Sequence, residues 1–223
     1  MRYIAPDRSE LQASVLQHPV FQTLSRQHLA LCQQTTWPEV DTLNKQWLSP
    51  KNTQGSNIQF IAQEALTDSQ HYEQRIFNHG IVATRSNNWH DLFNAMIWMR
   101  YPKMKLALNA RQVEDLNATG SKQRTRSQCA MTHFDEAGAV IRLSDAIMLS
   151  AWNEHDWLTF FSHWPRVMQA GRLQLWLFGH SIYEHALNPA IALVAKALVL
   201  QATQALNDSF IDEFLADRIS HKH

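Results

Sequence analysis

"TRSNNWHDLFNAMIWMRYPKMKLALNA", residues 84–110, decides how the rest of the chain is read. Trp89, Leu92, Phe93, Met96 and Ile97 fall at i, i+3, i+4, i+7 and i+8, the stripe of a helix turned toward a core. Pro102 suits the first turn of a second helix, where its missing N–H loses no bond. The pattern predicts helices over 89–99 and 102–117. The other face of the first helix carries His90, Asp91 and Asn94, with Arg85 just before it; Lys105 and Asn109 follow on the second. Part of this is ordinary helix chemistry, because Asn88 can cap the helix and Asp91 favours its N-terminus. Asn94 is different, since a mid-helix Asn is a poor helix former that competes for backbone bonds. His90 with Asn94, and Lys105 with Asn109, are i, i+4 pairs, each able to reach one point in space.

Outward from this stretch, residues 9–48 read as helical among Gln-rich neighbours, with Pro38 at the start of a further helix. "SPKNTQGSN" (49–57) is turn chemistry and the best internal boundary. Short strands are expected at 58–63 and 80–85 around a helix at 69–77, and a polar basic loop at 118–128. "CAMTHFDEAGAVIRL" (129–143) has the shape of a β-hairpin with D-E-A-G as its turn, which gives Asp135 and Glu136 turn roles. Helices at 145–151 and 154–163, a buried strand at 172–179, and helices at 181–187, 189–206 and 208–219 complete the chain. The expected class is α+β, a helix-rich single domain over 1–223 with a small antiparallel sheet, an N-terminal helical extension at 1–48 and a core at 58–206.

With 45% hydrophobic and 18% charged residues, eight Trp and ten Phe, the 223-residue chain is globular in composition. Twenty basic and twenty acidic residues cancel, so no global field draws nucleic acid or an acidic membrane. Charge is concentrated locally. Arg100, Lys103, Lys105, Arg111, Lys122, Arg124 and Arg126 face only Glu114 and Asp115, seven minus two, which would suit a phosphate or carboxylate. Cys32 and Cys129 are too few for a disulfide framework or a thiolate zinc site. No signal peptide is apparent, and "AIALVAKALVL" (190–200) is too short and too charged to span a membrane. A soluble, cytoplasmic protein with reduced thiols is expected.

"FGHSIYEHALNP" (178–189) is the second dense polar stretch. His180 and Glu184 share a helix face at i, i+4, a spacing that can hold a metal or orient an imidazole. Ser181-x-x-Glu184 also fits a capping box, and both readings stay open. H-E-x-x-H, a phosphate-binding glycine loop, G-x-S-x-G and a Cys pair are all missing, which argues against the usual zinc peptidases, P-loop nucleotidases and serine esterases.

The run "YEQRIFNHGIVATRSNNWHDLFNAMIWMRYPKMKLALN", followed by "FDEAGAV" and "FGHSIYEHALNP", resembles a bacterial family known as domain of unknown function 3025. The shared pattern is T-R-x-N-W-H-D-L-F-N-A, then W, P, K and L-N, then F-D-E-x-G and F-G-H-x-x-x-E, over roughly residues 58–200. The resemblance implies that Arg85, His90, Asp91, Asn94, Lys105, Asn109, Asp135, Glu136, His180 and Glu184 sit on the family pattern. It implies no activity. Where the family often has Ala after F-G-H, this chain has Ser181, so a capping box is not the general reason for Glu184.

Two functions follow as expectations. In the first, the chain is a hydrolase acting on an anionic substrate in a cleft. His90 or His180 is the general base, oriented by Asp91 or Glu184; Asn94 and Asn109 bind a polarised oxygen; Arg85 or Lys105 holds the anion. A divalent metal on His180, Glu184 and Asp91 is compatible with this but has no diagnostic spacing. In the second, the same residues form a buried hydrogen-bond network in a binding or scaffold protein. Nucleic-acid binding through 100–126 has charge but no recognisable module.

Overall fold

The computed structural model describes residues 3–119 and 125–221. The N-terminal segment is not the helical run that its pattern predicts. It makes three 3-10 turns, at Arg8–Glu10, Val15–Gln17 and Phe21–Thr23, then two short helices, α1 (Arg26–Gln33) and α2 (Val40–Lys45). Pro19 and Pro38 interrupt it, and tertiary contacts hold it instead. The Arg8 guanidinium lies 4.7 Å from the Trp37 ring and 4.8 Å from the Trp89 ring, and donates to the carbonyls of Leu31 and Gln34.

Strand β1 (Gln59–Ala62), helix α3 (Tyr72–His79) and strand β2 (Ile81–Thr84) form one β-α-β unit, so the two strands pair in parallel, Phe60 opposite Val82. Gly80 ends α3 at φ 72°, where a Cβ would stand 2.3 Å from the Asn57 carbonyl oxygen. Helices α4 (Trp89–Arg100) and α5 (Pro102–Thr119) follow as the sequence pattern predicts. The apolar stripe of α4 is buried, and so are Asp91, Asn94, Ala95 and Trp98 around it. A helix enclosed on nearly every side is a central strut, and the other elements are arranged about it.

The expected hairpin at 129–143 does not form. Helix α6 (Arg126–Ala137) runs directly into strand β3 (Gly138–Leu143). Thr125 and Gln128 close a capping box that starts the helix, which outweighs the turn-like D-E-A-G. The basic loop expected over 118–128 is therefore shorter at its far end, and Lys122 and Arg124 lie outside the described residues. Helices α7 (Ala146–Asn153) and α8 (Trp157–Gln169), strand β4 (Leu173–Leu177) and helix α9 (His180–Ala186) come next. The helix expected at 189–206 is instead an irregular segment and strand β5 (Lys196–Gln201); helix α10 (Asp208–Ser220) follows.

The second sheet has the order β4-β3-β5, with β3 antiparallel to β4 and parallel to β5. Every residue of β3 is buried, including Arg142, which donates to the carbonyls of Gln204 (2.9 Å), Gly171 (3.0 Å) and Thr203 (3.3 Å). The class is helix-rich α+β, with one antiparallel and two parallel pairings between strands among the described residues. The main core joins α4 to Phe21, Leu31, Phe60, Val140, Phe178, Tyr183, Ile211 and Leu215, and a smaller cluster fills the space between β3, α7 and α8. No helix among the described residues is long and apolar enough to cross a membrane.

Candidate functional site

Helix α4 packs on α9, and α9 on α6. Phe93 of α4 stacks on Tyr183 of α9 with ring centroids 5.5 Å apart. His90 and His180 each lie three residues before those rings, on the same helix faces, so the stack brings the two imidazoles together. Their Nε2 atoms are 3.0 Å apart, across a sequence separation of 90. At the other end of the contact Gly179 touches the end of α6. A Cβ there would be 2.4 Å from Ala137 Cα and 2.6 Å from the Glu136 carbonyl oxygen. This close approach sets the start of α9 beside the last turn of α6, and with it Glu136 beside His180.

Glu184 accepts from His90 Nδ1 at 2.8 Å, which directs His90 Nε2 at His180. The Glu136 carboxylate lies 3.5 Å from His180 Nε2 and 4.0 Å from His90 Nε2, and it accepts from the Ser181 hydroxyl. His180 is 3% exposed; its Nδ1 has no partner, so its polar contacts are all made through Nε2. Burial pushes the His180 pKa down to about 4, against the opposing pull of Asp135 and Glu136. Burial would lower His90 as well, but its bond to Glu184 and the fields of Glu136, Glu184 and Asp91 raise it above its usual value. His90, Ser181 and Glu184 line a groove of about 1030 Å³ together with Asp7, Glu10 and Arg85, whereas His180 and Glu136 are not part of its lining.

The other sequence candidates are placed differently. Asp91 holds Arg85 in a two-pronged pair (2.7 and 3.0 Å) and accepts from the Arg85 backbone at 2.6 Å, while Asn88 caps α4 through the Asp91 amide. Arg85 thus reaches the groove, and Asp91 is occupied in anchoring it. Asn94, Lys105 and Asn109 lie in a second, enclosed cluster. Lys105 Nζ donates to Asn94 (2.9 Å) and to Asp135 (2.6 Å), Asn94 donates to the Tyr72 hydroxyl (3.0 Å), and Asn109 donates to Glu73 (2.6 Å). The void inside this cluster is about 10 Å³, room for roughly one water-sized probe. Burial raises the Glu73 pKa to about 7.

Two features escaped the sequence reading. Glu136, read from the sequence as a turn residue on the family pattern, joins His90 and His180 because 126–137 is a helix whose last turn faces α9, and the Thr125-x-x-Gln128 capping signature was the available clue. The capping box at Ser181 is absent: α9 begins at His180 without a side-chain cap, so the Ser181 hydroxyl turns to Glu136. Part of the local excess of positive charge is answered from elsewhere in the chain, by Asp208, Glu213 and Asp135. Arg100 pairs with Asp208, Lys103 with Glu213, Lys105 with Asp135, and Arg111 with Glu114.

The three ring and carboxylate groups of His90, His180 and Glu136 offer ligand atoms that all lie within 4.8 Å of one another. Such a set can bind a proton, a water or a cation at one point, with the groove supplying access. The metal set expected from sequence, His180 with Glu184 and Asp91, is not the one assembled: Glu136 takes the third place, Glu184 backs His90, and Asp91 is paired with Arg85.

Neither curated proteins nor solved structures give a match. A family model described as protein of unknown function (DUF3025) matches residues 58–223, which include every residue of the His90 cluster and of the enclosed network. With that match covering well over half of its length, the chain belongs to the DUF3025 family.

Proposed function

We propose that the chain is a hydrolytic enzyme acting on an anionic substrate, with its reaction centre where His180 and Glu136 converge on His90, a residue of the groove wall. The observation that carries this reading is the Nε2–Nε2 approach of 3.0 Å between rings from α4 and α9, beside an accessible groove. Two imidazoles and a carboxylate brought to one point are an expensive arrangement for stability alone, since buried polar groups cost free energy unless fully bonded. A water held there is the nucleophile. Its oxygen attacks the electrophilic centre, and its proton passes to the flanking Glu136 carboxylate, which returns it to the leaving group, while Glu184 holds His90 in place from behind. Arg85, steadied by Asp91, is the cation at the groove wall available to an anionic group.

In the same reading Asn94, Lys105 and Asn109 do not bind substrate. They form the inner network that fixes α3, α5 and α6 behind the site, the role that a scaffold reading would give to the whole set. The free thiols Cys32 and Cys129 fit a reducing, cytoplasmic setting.

The test is turnover by the purified full chain of chromogenic carboxylic esters, phosphomonoesters and phosphodiesters. We expect hydrolysis of at least one anionic class, reduced at least about 100-fold in Glu184→Gln and His180→Asn, consistent with loss of general-base or nucleophile positioning. No turnover of any class, or turnover untouched by both substitutions in folded protein, overturns the proposal.

A further inference from the structure

We infer that His90 Nε2, His180 Nε2 and the Glu136 carboxylate together form a binding site for one divalent first-row transition-metal ion, with Glu184 supporting His90 from behind. This deepens the hydrolytic reading and rests on it for its use, but the geometry has its own content.

Metal–imidazole bonds are about 2.0–2.1 Å long, so two nitrogens 3.0 Å apart subtend about 90° at a shared ion. That is a normal cis angle for five- or six-coordinate metals, and a few tenths of an ångström of spreading reaches the tetrahedral value. Glu136 lies alongside at 3.5 Å from one nitrogen and 4.0 Å from the other, too far for a good hydrogen bond and close enough to complete a three-ligand face. The surrounding bonds also fit. His90 donates from Nδ1 to Glu184, the carboxylate–histidine support that fixes which nitrogen faces a metal. Ser181 donates to Glu136 Oε2, the carboxylate oxygen nearest His180, and so orients that carboxylate. His180, buried and without a partner on Nδ1, has polar contacts only toward this point.

Two nitrogens and one carboxylate, with no thiolate, suit zinc, manganese, iron or cobalt ions better than calcium or copper(I). Charge favours the same conclusion. The groove wall carries Asp7, Glu10 and Glu184 against Arg85, whose charge Asp91 partly offsets, so Arg85 alone would hold an anion weakly. A dication at the convergence strengthens that hold and, with Arg85, gives an anionic substrate two points of attachment. The substrate class is thereby narrowed to one with a phosphate or carboxylate next to the scissile bond.

The experiment uses the untagged full chain, stripped with chelator and dialysed, titrated calorimetrically with Zn²⁺ and followed in the visible range with Co²⁺. One saturable equivalent is expected, with cobalt d–d bands and no thiolate charge-transfer band. Glu136→Gln, at a partly exposed position that spares the fold, should weaken binding at least about 100-fold. Glu184→Gln should weaken it about 10- to 100-fold, the usual effect of losing such a support. Exchange of the remote His163 for Gln should change nothing. His180→Asn serves as a second ligand variant, with far-ultraviolet circular dichroism to confirm folding. No saturable equivalent, or affinity unchanged in Glu136→Gln and His180→Asn, overturns the metal site. Undiminished turnover by chelator-stripped protein overturns the use of the ion in the reaction, while sparing the hydrolytic reading. One bound equivalent with no turnover of any ester class establishes the site and overturns the hydrolytic reading alone.

Discussion

Asn94 is bonded from both ends of its amide: the oxygen accepts from Lys105 and the nitrogen donates to Tyr72. Asn94→Ala would strip an acceptor from a buried ammonium and a partner from a buried hydroxyl, so the folded state should lose about 1–3 kcal/mol in urea titration. A residue that only contacts ligand would leave the unfolding midpoint in place. His28 gives the matching case for protons. It is buried on α1 with no partner for Nδ1, and burial, helped by Arg100, lowers its pKa from 6.5 to about 4. The unfolded chain therefore holds the proton more tightly, and stability is full above about pH 6.5 and falls as pH drops toward 4. At about 1.4 kcal/mol per unit the loss approaches about 3 kcal/mol. In His28→Leu the acid limb of a stability-against-pH curve should flatten over that window; an unchanged limb would assign the acid loss to other groups.

At the scale of elements, the contact between Gly179 and the end of α6 carries the site. It is a steric requirement and not one of backbone angle, for Gly179 has φ −63°. Gly179→Ala should push α9 from α6, cost about 1–3 kcal/mol, and separate His180 from Glu136. Full stability in this variant would show that the two helices can slide freely. How legible these elements were depends on where their information lies. The strut α4 could be read directly, because Trp89, Leu92, Phe93, Met96 and Ile97 repeat within one helix and Asn88 caps it. Strand β5 could not. "KALVLQ" suits helix or strand equally, and what decides it is the row of bonds to β3, far away in sequence. Helix α6 failed for another reason: the local D-E-A-G looked like a turn, while the deciding signal, Thr125 with Gln128, sat upstream of the apolar residues. Glu136 was lost with it. Of the residues expected to share one cleft, His90 meets His180 and Glu184, whereas Arg85 and Asp91 pair with each other and Asn94 finds its partners in α3 and α5.

For the whole molecule, the polar residues divide into a set around His90 beside the groove and an enclosed set around Lys105, joined at consecutive positions of α6, where Asp135 faces Lys105 and Glu136 faces His180. Anything that shifts α6 therefore moves both. The molecule is closed from its far end by α10, which packs along α5. Asp212 accepts from the amides of Lys103 (3.1 Å) and Met104 (2.8 Å), groups that the first turn of α5 cannot satisfy itself, and Asp208 takes Arg100 and the Trp176 indole. The timing of synthesis is bound up in that arrangement. A chain emerging from the ribosome has α4 and α5 in hand long before the two aspartates that finish their junction. Until α10 arrives, the core face that Ile211 and Leu215 cover stays open, and that interval is when a chaperone would matter most to this fold.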